Sequence, residues 1–156
     1  MQLCRSHNRF TVTKFAAACA TLAVAISGCG MMTPSANKVA LTTQLRSANE
    51  VPPVKSSGGG SVDAVFNKDT LQLRWKVSYS GLTGNATAGH FHGPAAVGVS
   101  AGVALGWTNP ITSGMEGSAT LSAAQAADLM AGRWYANIHT AVNPGGELRG
   151  QMTVRN

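Results

Sequence analysis

Nine residues near the middle of the chain, Leu71-Gln-Leu-Arg-Trp-Lys-Val-Ser-Tyr79, alternate without a slip. Leu71, Leu73, Trp75, Val77 and Tyr79 fall on one side; Gln72, Arg74, Lys76 and Ser78 fall on the other. A period of two belongs to a strand with one dry and one wet face, because a helix would repeat its apolar positions every three or four residues. Such a strand needs neighbours to cover its dry face. Asn67-Lys-Asp-Thr70 just before it is turn chemistry and makes residues 61–66 the expected hairpin partner. Further strands are expected at 39–45, 87–92, 99–105, 117–121, 134–140 and 147–154, separated by Gly, Pro and Asn. The expected fold is therefore all-β: an antiparallel β-sandwich or barrel of about eight strands. One short helix interrupts it, because Ser122-Ala-Ala-Gln125 fits a capping box, residues 123–131 favour helix and Gly132 suits its end. Its expected task is to plug one end of the sheet.

The N-terminus follows a different logic. Residues 1–14 carry Arg5, Arg9 and Lys14 and no acid, and residues 15–26 form an apolar run broken only by Cys19 and Thr21. That run suits the hydrophobic region of an export signal and falls short of the ~20 residues of a membrane span. It ends in Ile26-Ser27-Gly28-Cys29, which resembles the lipobox of bacterial lipoproteins. The expectation is a signal peptide over 1–28, a lipidated Cys29 at the mature N-terminus, a short tether over 29–37 and one domain over 38–156. This puts the protein in the bacterial cell envelope, held to a membrane by its lipid anchor. In a cell with two membranes Gly30 favours the outer one, since the aspartate that retains lipoproteins in the inner membrane is absent there.

Removing the signal changes what composition can say. The whole chain has 12 basic and 6 acidic residues, and three of the bases belong to the signal, so the mature part carries nine against six, a net +3. Those bases are spread thinly from Lys38 to Arg155, with no cluster that would mark a nucleic-acid footprint. The three cysteines are Cys4, Cys19 and Cys29. Two leave with the signal and one takes the lipid, so the domain must fold without a disulfide despite its oxidising surroundings.

The mature chain has three histidines, all inside expected strands. In Ala88-Gly-His-Phe-His-Gly-Pro94, His90 and His92 point to one face while Phe91 points to the core. In Trp134-Tyr-Ala-Asn-Ile-His-Thr140, the apolar face is Trp134, Ala136 and Ile138, and His139 shares the other face with Tyr135 and Asn137. Two histidines from one strand and a third from another form a common zinc or copper ligand set. The plainer alternative is three solvated or loop-bonding side chains. Glu147 is the candidate fourth group: it follows the turn Pro144-Gly-Gly146 on a strand that should pair with the one carrying His139. As a ligand or as the orienter of a histidine it would belong to the site. Arg149, two residues on and on the same face, is the favoured partner instead. Glu50, beside the Pro52-Pro53 pair, has two open roles: to cap Arg149 or to reach the histidine face.

Four segments in order carry a resemblance to the CHRD domain, the module first described in chordin: Ser47-Ala-Asn-Glu-Val-Pro-Pro53, Gly81-Leu82 with Gly89-His-Phe-His-Gly-Pro94, Trp134-Tyr-Ala-Asn-Ile-His-Thr140, and Pro144-Gly-Gly-Glu-Leu-Arg-Gly-Gln151. The chain departs from the usual pattern at Phe91 and Ala136, where aliphatic residues are commoner. The resemblance covers residues 39 to about 155, implies a β-rich fold, and attaches no general catalytic activity.

Three function classes follow, in order of preference. The first is an envelope lipoprotein that binds copper or zinc through His90, His92 and His139. The second is a non-catalytic interaction module that binds another envelope protein or a glycan. An enzyme ranks last: Asp63, Asp69, Glu116 and Asp128 are scattered, and no nucleophile is arranged beside a base. A metal-dependent redox activity stays open only as an extension of the first class.

Overall fold

The computed structural model describes residues 37–155. The signal, Cys29 and the tether as far as residue 36 lie outside the described residues. Asn37, assigned above to the tether, is already fastened to the domain: its amide donates to Asp69 and its carbonyl accepts from the Lys68 N–H.

The alternating segment becomes β3 (Gln72–Ser80), paired along its full length with β2 (Gly59–Asn67). The Asn67 side chain closes the turn between them by accepting from the backbone N–H groups of Asp69 and Thr70. Leu71 follows in the left-handed region at φ 54°, a conformation uncommon outside glycine and held here by the hairpin on either side. β1 (Lys38–Arg46) pairs with β2, and β6 (Glu116–Thr120) with β3. The other half holds β4 (Ala86–His92), β5 (Val103–Gly106), β7 (Tyr135–Thr140) and β8 (Leu148–Gln151), with the two-residue β9 (Thr153–Val154) against β1.

All strands join one antiparallel sheet in the order β5-β4-β7-β8-β1-β2-β3-β6. β3 and β4 are five places apart in that order, which a flat sheet would turn into a gap of roughly 24 Å. Yet Trp75 on β3 meets Phe91 on β4 edge-to-face, with ring centroids 5.4 Å apart. The sheet therefore curls into a half-barrel whose inner face closes on itself, leaving β5 and β6 as its two unpaired ends. Leu41, Leu45, Val62, Phe66, Leu73, Val77, Ile138 and Leu148 fill the interior from the strands, and Trp107, Trp134 and Met152 fill it from the connections. Among the described residues, the all-β antiparallel class with a single short α-helix is as the sequence led us to expect.

The helix α1 (Ala123–Met130) has the expected capping box, with Ser122 and Gln125 bonding each other's backbone N–H. It ends in a Schellman motif: Gly132, at φ 68°, donates to Leu129 O while Arg133 donates to Asp128 O. Ala126 and Leu129 enter the core.

Two strand expectations need correction. The segment 99–105 is a strand only from Val103; residues 96–102 form a loop that starts with the turn Val99 N–H to Ala96 O and passes through Gly98 at φ 78°. The segment 147–154 breaks at Met152, whose N–H turns away to Trp134 O and whose side chain is fully buried.

Candidate metal centre

β4 and β7 are neighbours and run antiparallel, with His90 opposite Asn137, His92 opposite Tyr135 and Ala88 opposite His139. This adjacency, which the sequence left open, is what assembles the site. Phe91 points inward and is fully buried, so His90 and His92 project together from the other face, ring centroids 5.5 Å apart. His139, diagonal to His90 on β7, completes the group. One nitrogen from each of the three lies within 4.8 Å of the others, and all three rings are half-buried.

Each ring is oriented by a partner of its own. A carbonyl oxygen can only accept, so His139 Nδ1, 2.9 Å from Pro144 O, carries the hydrogen and leaves Nε2 bare. His92 Nδ1, 3.0 Å from Ala101 O, is fixed in the same tautomer. His92 Nε2 is then a buried lone pair with no hydrogen-bond partner. Buried polar atoms are rarely left so, and an unpaired one calls for a reason. Backbone carbonyls that fix the tautomer and aim the free nitrogen are the usual second layer of a histidine metal site.

The remaining contact has the right span. His90 Nδ1 and His139 Nε2 are 3.2 Å apart, sharing one hydrogen in the metal-free protein. Two nitrogens bound to one ion at ~2.0–2.1 Å with a near-tetrahedral angle stand about 3.3 Å apart. The separation of the two nitrogens therefore matches that of two ligands on one ion, and both rings would turn to aim their lone pairs at it. Burial lowers the His90 pKa, and the charges that His139 and His92 could carry add to that. Burial also lowers His92 against the pull of its bonds to the backbone at Ala101 and Gly102, with His139 and Arg149 lowering it further. Both shifts favour the neutral ring, the form a metal requires.

Glu147 is not part of this group, and its expected pairing with Arg149 is absent. Its carboxylate is fully buried and accepts from Ser56 Oγ at 2.6 Å, Thr83 N–H at 2.8 Å, Thr83 Oγ1 at 2.6 Å, Thr140 Oγ1 at 2.7 Å and Asn143 Nδ2 at 3.1 Å. Five donors occupy its lone pairs, which leaves nothing for a metal or for a guanidinium. Arg149 instead lies over the Tyr135 ring, 3.6 Å from its centroid, and donates to Val99 O at 2.6 Å. Tyr135 in turn stacks on His92, centroids 4.9 Å apart and planes within 4°. Glu50 reaches this face through Asn137, whose Nδ2 donates to Glu50 Oε1 at 2.5 Å.

The carbonyls of Ala101 and Pro144 and the Tyr135–Arg149 stack had no signal of their own in the sequence. Loop residues orient the histidines through backbone atoms, which every residue type possesses. Only the spacing of Pro144 from His139 across a tight hairpin hinted at one of them.

A curled antiparallel half-barrel bearing three converging histidines on its outer, loop-covered face defines a small β-domain with a polar cluster for its site. Residues 41–152 match the CHRD domain family, and the chain belongs to it. Comparison with curated proteins and with solved structures returned no match.

Proposed function

We propose that this CHRD domain is a metal-binding module of the bacterial envelope, taking copper or zinc at His90, His92 and His139. The observation that carries the reading is the buried, partnerless Nε2 of a His92 ring whose centroid lies 5.5 and 6.2 Å from those of His90 and His139, with Nδ1 of both His92 and His139 already tied to carbonyls. Three protein nitrogens leave a coordination position free, which suits buffering or hand-over of an ion better than permanent structural storage. The lipobox at Cys29 would hold the module at a membrane surface, and Gly30 favours the outer membrane.

The test is titration of the full chain, in detergent, with copper or zinc against the triple variant His90→Ala, His92→Ala, His139→Ala. The expected result is one ion per chain, lost in the variant, with affinity falling as pH drops below the ordinary imidazole range. Equal weak binding by both proteins would end the metal reading.

A second reading keeps one observation in its favour. Val97 and Val142, in the two loops whose carbonyls hold the histidines, are 79% and 65% exposed. If the triple variant binds metal as the wild type does, these loops become the face of an interaction module for an envelope protein or a glycan.

A further inference from the structure

We infer that the site selects the monovalent ion: copper(I) rather than copper(II) or zinc(II). The inference rests on the metal reading above and concerns which charge the pocket tolerates.

The donor set is three imidazoles with no carboxylate among them. Of the two buried acids among the described residues, Glu147 is saturated by its five donors. Glu50 is taken by Asn137 and lies close enough to Arg149 to feel its charge; burial keeps it protonated up to about pH 7. Whatever charge the ion brings therefore stays uncompensated by the protein.

Arg149 raises that cost. Its guanidinium is fixed against the far partner of the His92 stack and cannot swing away while it donates to Val99 O. One aromatic ring separates it from a ligand, placing the two charges on the order of 10 Å apart. At an effective dielectric of ~20, each unit of ionic charge then costs roughly tenfold in affinity. A divalent ion meets that penalty twice, a monovalent one once.

Coordination number points the same way. Zinc asks for four ligands and copper(II) for a tetragonal set. Copper(I), a closed-shell ion without a geometric demand from its d-electrons, is satisfied by three nitrogens in a plane.

The experiment is competition on the full chain against chelators of known affinity: copper(I) under reductant without oxygen, copper(II) and zinc without reductant. The expected result is copper(I) held at least about tenfold more tightly than zinc, and a bound copper couple at higher potential than aqueous copper. Arg149→Gln should strengthen zinc binding more than copper(I) binding and so narrow the gap. Zinc bound as tightly as copper(I), or a bound couple at lower potential than aqueous copper, would overturn the selectivity while leaving the metal site standing. No ion bound beyond the level of the triple histidine variant would overturn both. The wild-type affinities and potential decide the matter even where Arg149→Gln fails to fold.

Discussion

Glu147 and Glu50 are both buried, and their environments push them in opposite directions. For Glu147, burial works to raise the pKa, but the bonds from Ser56, Thr83 and Thr140 outweigh it and bring the group down from 4.5 to about 2. A carboxylate lowered in the folded state contributes stability above pH 4.5, lost as pH falls toward 2, worth on the order of 3 kcal/mol. Glu147→Gln should cost about that much at pH 7 in chemical denaturation and flatten the acid limb, with metal affinity unchanged. A variant as stable as the wild type at pH 7 would mean the five donors are satisfied without the charge. Glu50 is the mirror case: burial raises it from 4.5 to about 7 against the lowering effects of Asn137 and Arg149. Its favourable contribution is complete below pH 4.5 and is lost as pH climbs through 7. Glu50→Gln should leave stability at pH 4 alone and raise it at pH 8. Equal pH profiles for variant and wild type would refute this.

At the scale of elements, what could be read from the sequence was whatever has one dry face. The alternation of β3, the Asn67 turn and the Ser122 capping box each announce themselves within a few residues. The histidine strands were legible for the same reason, Phe91 and Ile138 marking the inner face. The other face of β7 misled, since Tyr135 and Asn137 are polar by type and yet buried. They are covered by the loops around Ser47–Asn49 and 96–102, which have no periodicity to read and are fixed by side chains arriving from far along the chain. Glu147 was misjudged on that account: its donors Ser56 and Thr83 are 91 and 64 residues away. Close contacts between elements were equally silent. Gly89 on β4 has no room for a side chain, because a Cβ there would stand 2.2 Å from the buried Trp107 ring. Gly89→Ala should lower stability by about 2 kcal/mol through that overlap and move the tryptophan fluorescence. An unchanged melting temperature would show that the ring yields freely.

For the whole molecule, the proposed reading divides the labour: a lipidated Cys29 would set the place and the domain the chemistry. All three cysteines lie ahead of the described residues, so the half-barrel stands on its hydrophobic core alone. Wild-type cells fed labelled palmitate should incorporate it into this protein, and Cys29→Ser should abolish the label. Labelling that survives the substitution would remove the anchor.

The two strands of the site meet only in the finished sheet, His90 and His139 being 49 residues apart along the chain. Before that meeting, the nascent polypeptide offers an isolated His-x-His, a feeble chelator, and the proposed site would gain its grip only when β7 docks beside β4. A chain that crosses the inner membrane extended would thus leave the cytoplasm empty-handed. On the reading proposed above, its cargo would be drawn from whatever the envelope already holds, and it would serve as a scavenger on arrival rather than as an export vehicle.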